Sequence, residues 1–285
     1  MVAEASIRRL ILILPLAGCA PRRAPSPMPE PVQPSPELVL VPDNGPWQFA
    51  YRTDTIRYQI NRSAAIEAQA DSGIHREIST NNTHEVLAIS VDSGSVSYTA
   101  TVDTFSTASQ GLIGPVQPVT VPSTISGVLD SASVNDSTPV TEQCDPVRSS
   151  LEGDMRNVLI NFPSQLAPGI SWRDSATRVA CYGTVPMRAI VIRRFSVVGR
   201  TSYNGQTPVA IQRTDSINAH GEGRQQQHFV VVDVTGTGGA TYYLQPETSR
   251  LLHLSTSQDL GFSIRAAGRT SQFRETVKEE FSPSP

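Results

Sequence analysis

A strictly alternating stretch in the first half of the chain leaves few folds open to it. Within residues 95–102 serine and threonine alternate with apolar side chains, namely Val96, Tyr98, Ala100 and Val102. Because successive side chains of a β-strand point to opposite faces, this period of two predicts a strand with one dry and one wet face. A second β-rich run, residues 85–91, comes before it, and the Asp-Ser-Gly of residues 92–94 predicts a three-residue hairpin loop between the two.

Turn signals recur through the second half of the chain. Asn204-Gly205 suits both positive-φ positions of a type I′ turn, so it predicts a hairpin between residues 187–202 and 207–219. Glycine at 236–239, Pro246 to Ser249 and Gly268 predict further turns between short strands. We therefore expect a mainly β fold, an antiparallel meander that forms a curved sheet or half-barrel.

One segment has the helical period instead. Asp145 can cap a helix, Pro146 fits its first position, and apolar residues recur at helical spacing until Pro163, so we predict a helix over residues 145–162. Gly153 is expected on the opposite face, where it weakens the helix by about 1 kcal/mol relative to alanine. The amphipathic helix should pack on the sheet, and its stripe is the candidate face for a hydrophobic ligand: Val147, Leu151, Met155 and Val158.

These patterns suggest one β-rich domain over residues 47–281. A first meander covers residues 47–107 and a second covers residues 172–277. Residues 108–144, which are rich in Pro, Ser and Val, are expected to connect the first meander to the helix.

The first 46 residues look like an export signal and a spacer. Arg8 and Arg9, a short apolar run and small residues before Cys19 are typical of a signal peptide over residues 1–18, and the run is too short to span a bilayer. Nine prolines between residues 20 and 46 predict an extended tether with a reach of about 80 Å at ~3.1 Å per residue.

The sequence Leu16-Ala17-Gly18-Cys19 resembles the lipobox of bacterial lipoproteins. The resemblance implies cleavage before Cys19, diacylglycerol on its thiol and an acyl group on its new amine, so that the membrane becomes a partner through the lipid anchor. Two or three acyl chains bind a membrane stably where one binds marginally. Ala20 after the cysteine implies, by the same resemblance, the outer membrane facing the periplasm. The alternative is an ordinary secretory signal with an incidental cysteine.

Cys144 and Cys181 are left once Cys19 carries lipid. An even pair of cysteines in an exported chain indicates a disulfide, here closing a loop of about 38 residues and stabilising by around 4 kcal/mol on loop-closure entropy. Zinc binding by these two is disfavoured, because neither lies in a Cys-x-x-Cys pair or beside a histidine.

Most catalytic and binding chemistry lacks a sequence signal. A net charge of −3 gives no basic surface for nucleic acid. The five histidines have no metal-ligand spacing, and no Gly-x-Ser-x-Gly elbow or phosphate loop occurs, so we expect no metal, no cofactor and no enzyme activity. Asp71-Ser72-Gly73 and Asp92-Ser93-Gly94 resemble the paired active-site loops of aspartic proteases, which keeps an aspartic-type peptidase as a remote alternative to ordinary turns.

A long meander with one helix resembles the half-barrel of periplasmic lipoprotein carriers and of mycobacterial lipid-binding lipoproteins. It is also similar to uncharacterised envelope lipoproteins with a stretch like residues 162–172 after the helix. These resemblances imply a lipid-anchored, non-enzymatic protein that binds a lipid or hydrophobic segment in an apolar concavity. The alternative is a structural or assembly scaffold of the envelope with a filled core, and the space beside the helix distinguishes the two.

Overall fold

The computed structural model describes residues 38–43, 45–70, 73–110, 123–129, 134–136, 144–225 and 227–284. The predicted signal peptide, Cys19 and most of the tether lie outside the described residues. In chain order the elements are β1 (Trp47–Gln48), β2 (Asp54–Ala70), β3 (Gly73–Asp92), β4 (Ser95–Gln110), β5 (Ser123–Leu129), β6 (Val134–Asp136), α1 (Pro146–Val158), β7 (Gln165–Leu166), β8 (Ser171–Tyr182), β9 (Val185–Arg200), β10 (Val209–Gln225), β11 (His228–Gln245), β12 (Arg250–Ala266) and β13 (Arg269–Pro283).

Eleven of the strands form one antiparallel sheet in the order β6-β5-β4-β3-β2-β13-β12-β11-β10-β9-β8, and β1 pairs with β7 in a separate two-stranded sheet. The two predicted meanders are therefore halves of a single sheet, joined where β13 pairs with β2. The expected mainly β fold, with one helix packed on a curved antiparallel meander, is confirmed.

The sheet curls strongly over its C-terminal half. Tyr182, at the end of edge strand β8, lies with its ring centroid 6.0 Å from that of Phe262 on β12 and 6.2 Å from that of Phe273 on β13. In a flat sheet, with strands about 4.8 Å apart, β8 and β12 would lie about 19 Å from each other. These rings meet only because the sheet bends round on itself.

Glycines inside β10 and β11 lie close to the backbone of neighbouring strands. The turn predicted at residues 236–239 is wrong, because β11 runs unbroken from His228 to Gln245. A Cβ at Gly236 would lie 2.4 Å from the carbonyl oxygen of Asp259 on the next strand, and one at Gly221 would lie 2.4 Å from that of Pro186. Glycine here permits close approach of neighbouring backbones within the sheet. From the sequence alone, a glycine with this role cannot be distinguished from a glycine in a turn.

The two hairpin turns predicted from sequence are present. Asn204 and Gly205 have φ values of 49° and 75°, and Tyr203 and Gln206 exchange backbone hydrogen bonds across them. The turn at Ser93 and Gly94, with φ values of 49° and 84°, has two residues, one fewer than expected, because Asp92 pairs with Ser95. Both turns have the positive-φ pair of a type I′ hairpin.

The predicted connector at residues 108–144 needs correction, because two strands, β5 and β6, lie inside it. β5 pairs along residues 96–102 of β4, and Ile125 at its centre is buried. Serine and proline in this region obscured the alternation of Ile125, Gly127 and Leu129, which is the same period-two pattern that identified β4.

The helix is shorter than predicted and ends at Val158 instead of residue 162. Its start is as expected: Asp145 Oδ1 accepts hydrogen bonds from the backbone N–H groups of Val147 (3.0 Å) and Arg148 (3.2 Å). Beyond its end, the Tyr51 hydroxyl accepts from the Ile160 N–H (2.7 Å) and donates to the Ile160 carbonyl (2.8 Å). Pro163 further disfavours helical backbone just before it.

α1 lies between the two edges of the curled sheet. It contacts β4, β5 and β6 on one side and β8 on the other. The main core fills the space between the helix and the sheet, with Tyr58, Leu87, Leu151 and Tyr242 among its buried members. A second, smaller apolar cluster, which includes Val185, Val232 and Phe262, lies along the inner face of β9, β11 and β12. Among the described residues no helix is long and apolar enough to span a membrane.

The first described residues run along the end of the sheet where β9 turns into β10. Leu40 pairs with Thr201, whose hydroxyl donates to the Val39 carbonyl (2.9 Å). The Arg200 guanidinium forms ion pairs with Asp43 (2.8 Å) and Glu247 (2.5 Å). Residues 38–43, which belong to the predicted tether, are thus attached to this end of the sheet.

The expected disulfide between Cys144 and Cys181 is present. It joins the residue before the helix cap to the second-to-last residue of edge strand β8, 37 positions further along the chain. The covalent bond therefore holds the start of α1 against one edge of the sheet.

Replacing both cysteines, Cys144→Ser with Cys181→Ser, should lower the melting temperature by roughly 10 °C, because the unfolded chain regains the entropy of a closed loop worth about 4 kcal/mol. Circular dichroism during heating measures the shift. A reducing agent should lower the melting temperature of the wild type but not that of the double variant. An unchanged transition in the double variant would contradict a stabilising disulfide.

Candidate functional site

The predicted ligand face of the helix is not open. Leu151 and Met155 are completely buried, Val158 is 7% exposed, and Val147 packs partly buried against the main core. The assignment of these four residues to a hydrophobic ligand stays a prediction, and in the described structure their contacts are with the core. Their stripe faces the sheet and supplies core contacts, which is the commonest use of an apolar helix face.

Two small cavities lie beside the helix among the described residues. One cavity of about 20 Å³ lies near Val158 and Phe162, and another of about 40 Å³ lies near Gly153 and Asn157. A cavity needs about 10–15 Å³ to hold one water, and ligand pockets commonly measure about 300–1,000 Å³. These two spaces can hold a few waters and cannot hold an acyl chain.

Beside its apolar stripe, α1 meets a layer of charged side chains on the inner face of the sheet. Arg62 on β2 lies at the centre of one half of this layer. Its Nη2 donates to Asp154 Oδ1 (2.7 Å), its Nε to Glu279 Oε1 (2.6 Å) and its Nη1 to Ser150 Oγ (2.7 Å). Because Asp154 and Ser150 belong to the helix and Glu279 to β13, one guanidinium connects three elements.

Glu279 extends the same network. Its Oε2 accepts from Asn157 Nδ2 (3.2 Å) on the helix and from Thr256 Oγ1 (3.0 Å) on β12. With Arg62 on the other carboxylate oxygen, this buried side chain is bonded on both oxygens. A buried charge with this many partners is one that a fold can tolerate.

Two further arginines lie in the other half of the layer. Arg193 on β9 binds Asp174 on β8 through Nε (2.7 Å) and Nη2 (2.6 Å), and its Nη1 donates to the Arg156 carbonyl at the end of α1. Arg213 on β10 binds Asp215 through Nε (3.1 Å) and Nη2 (2.9 Å). Its Nη1 donates to Asn157 Oδ1 (3.0 Å) and to the Tyr242 hydroxyl. The sheet thus binds the helix through salt bridges and through a hydrogen bond to a backbone carbonyl near the end of α1, as well as through apolar contacts.

Three carboxyl groups meet near Arg62, and their pKa values are shifted in different directions. Burial, and then the charge of Asp154, raises the pKa of Glu85 well above its usual range, while Glu85 and Asp154 share a hydrogen bond. Burial raises the pKa of Asp154 to about 6 in spite of Arg62. Burial opposes ionisation of Glu279 as well, but Arg62 and the hydrogen bonds of this group hold its pKa below the usual range. Glu85 therefore holds its proton to a higher pH than an exposed glutamate does, and this proton lies in the hydrogen bond to Asp154.

Replacing Glu85 by glutamine should remove a pH-dependent loss of stability. The folded pKa of Glu85 lies above its ordinary value of 4.5, so the folded protein binds this proton more tightly, and the free energy of unfolding falls as pH rises above that value. The fall is at most about 1.4 kcal/mol per pH unit. Glutamine stays neutral and keeps the hydrogen-bond donor, so the melting temperature of E85Q relative to wild type should increase from about pH 5 to about pH 8.

The matched control is Glu67→Gln, at an exposed position of β2, whose difference from wild type should stay nearly constant across the same range. If the E85Q difference were equally constant, the protonated state of Glu85 would be disproved.

The carboxyl pair has no access to a substrate. Glu85 is 1% exposed and Asp154 is 2% exposed, so their shared proton serves packing of the helix on the sheet. The described parts of the two Asp-Ser-Gly motifs do not meet either. Gly73 begins β3 and Asp92 ends it, about 60 Å apart at ~3.3 Å per residue, and Asp71 and Ser72 lie outside the described residues. In the described parts of the chain, no three His, Cys, Asp or Glu side chains come together as metal ligands.

A polar groove of about 610 Å³ lies on the outer face of β2, β3, β4 and β13. Asn61 on β2 and Asn82 on β3 are cross-strand partners in its lining, with Asn82 Nδ2 donating to Asn61 Oδ1 (2.6 Å). Ser63, Thr80, Ser106, Lys278 and Glu280 contribute to its lining. Sequence reasoning missed this groove, since polar residues at outward positions of strands are ordinary and only the register of the four strands makes these residues neighbours.

No family model and no curated protein matches the chain. Among solved structures, the crystal structure of OccK2 (OpdF) from Pseudomonas aeruginosa is similar at 7% sequence identity with a TM-score of 0.25, over 81% of this chain and 97% of that one.

Proposed function

We propose that this chain is a non-enzymatic, lipid-anchored protein of the bacterial cell envelope, and that its half-barrel acts as a structural or assembly module. Cys19 would carry the lipid and hold the protein at the outer membrane. The half-barrel would then stand in the periplasm at the end of the tether that residues 20–46 are expected to form.

The observation that carries the module proposal is the filled space between helix and sheet. The lipid-carrier hypothesis needs an apolar concavity beside Val147, Leu151 and Met155, and these side chains are core. The other faces of α1 meet charged groups such as Arg62 and Arg193, which disfavour an acyl chain. A rigid, filled body offers its outer surface to partners instead.

The lipid anchor rests on the sequence from Leu16 to Cys19 and on the order of segments along the chain. A cationic start, a short apolar run, a small-residue site and a proline-rich spacer all precede a body with a disulfide, which is typical of exported proteins. Lipid attachment makes a membrane-spanning helix unnecessary.

Native mass spectrometry of the Cys19→Ser protein tests the filled interior without interference from attached lipid. We expect the mass of the bare chain, and no uptake when palmitate or a phospholipid is added, because the cavities of about 20 and 40 Å³ are too small. A lipid that co-purifies at one copy per chain would refute the module and restore the carrier hypothesis.

Labelling of cells with radioactive palmitate tests the anchor. The wild type should take up label, and Cys19→Ser should take up none, because the thiol is the proposed site of lipid attachment. The Cys144→Ser/Cys181→Ser double variant is the matched control and should label as the wild type does. A wild type without label would mean an ordinary secretory signal.

A further inference from the structure

Four arginines surround the cavity of about 40 Å³ between α1 and the inner face of the sheet. Arg156 comes from the helix, Arg178 from β8, Arg193 from β9 and Arg213 from β10. Asp215 is the single carboxylate among the residues that line this cavity. The lining therefore carries an excess of positive charge.

The nearby carboxylates are already engaged by other arginines. Arg62 binds Asp154 and Glu279, Arg193 binds Asp174, and Arg213 binds Asp215. In the described part of the chain, none of these carboxylates lies within salt-bridge distance of Arg178.

Arg178 and Arg156 keep unused donors. The Nε–H of Arg178 is buried without an acceptor among the described residues, and so is that of Arg156. Arg156 has a weak ion pair with Glu152 at 3.7 Å, and Glu152 binds Arg148 more closely at 3.0 Å. Burial, and then the charge of Arg156, lowers the pKa of Arg178. Two like charges side by side with free donors are costly unless a counter-ion lies between them.

The helix makes room for the Arg178 guanidinium. Gly153 was expected on the face away from the sheet, but a Cβ there would lie 2.4 Å from Arg178 Nη1. Glycine is unfavourable in the middle of a helix, so its presence at this point is explained by the space that the guanidinium needs. The missing side chain at Gly153 thus leaves the space that the Arg178 guanidinium occupies.

We propose that this cavity binds one small inorganic anion of the size of chloride, held by the Nε–H groups of Arg178 and Arg156. At about 10–15 Å³ per water-sized position, the cavity has room for about three such positions, enough for chloride and one or two waters. Asp215 Oδ1 also lacks a partner, and a water beside the anion would donate to it. The anion would complete the charged layer and fasten the helix to β8.

Thermal unfolding of the full chain at constant ionic strength tests the site, with sodium chloride replacing sodium gluconate up to about 0.15 M. Gluconate is too large to enter. The melting temperature of the wild type should rise by about 3 °C or more as chloride increases, because the anion binds the folded state alone. The protein should also broaden the chloride-35 NMR signal, because bound chloride exchanges with free chloride.

Arg178→Gln should abolish both effects of chloride. In gluconate the variant should melt at or above the wild-type temperature, since it lacks the unpaired charge. Arg173→Gln, on the same strand at an exposed position, is the matched control and should respond to chloride as the wild type does.

A second variant, Gly153→Ala, covers the case in which Arg178→Gln fails to fold. Its methyl group should displace the guanidinium and remove the chloride response, although alanine favours the helix. Equal melting temperatures of the wild type in the two salts would overturn the proposal and leave water as the occupant. A full chloride response in Arg178→Gln or in Gly153→Ala would overturn it too.

Discussion

The pairing of β13 with β2 is the contact on which the rest of the molecule depends. It joins residues 58–68 to residues 273–283 and makes one sheet from two meanders. Arg62 and Glu279 are direct neighbours across this seam, on the face that meets the helix. Because the same two side chains also bind Asp154, Ser150 and Asn157 on α1, formation of the seam and docking of the helix support each other.

The interior differs from the apolar groove of a carrier. Leu151 and Met155 fill one side of the space under the helix, and the charged layer from Arg62 to Arg213 fills the other. Replacement of buried ion pairs by apolar residues often stabilises a protein, so such a layer does not imply exceptional stability. The layer does fix the orientation of α1, because each guanidinium and carboxylate can form its hydrogen bonds in only a few relative positions. Such a layer is consistent with the proposed structural or assembly module.

Local signals predicted the parts of the fold that depend on neighbours in sequence. The alternation of residues 95–102, the Asn204-Gly205 turn, the Asp145 cap and the two late cysteines each describe a short-range or covalent arrangement. The β2–β13 seam joins residues about 215 apart. Gly236 has the same chemistry in a turn and in a strand, and only the backbone of β12 distinguishes the two. Whether the stripe of Leu151 is core or ligand face depends on packing volume, which sequence does not contain. One signal was available and missed: Arg213 and Asp215 occupy the same alternate positions as Ile211 and Ile217, which places charge on the dry face.

The attachment of residues 38–43 to the end of the sheet has a mechanical consequence. Tension applied to the chain from its N-terminal side would reach the Leu40–Thr201 bridge and the Asp43–Arg200–Glu247 ion pairs before any strand of the main sheet. These contacts are few and lie near the surface, so they should break first. The extended segment before β1 would then become longer while the half-barrel stays folded. Under load the protein would thus lose contacts that can re-form, and its core would stay intact.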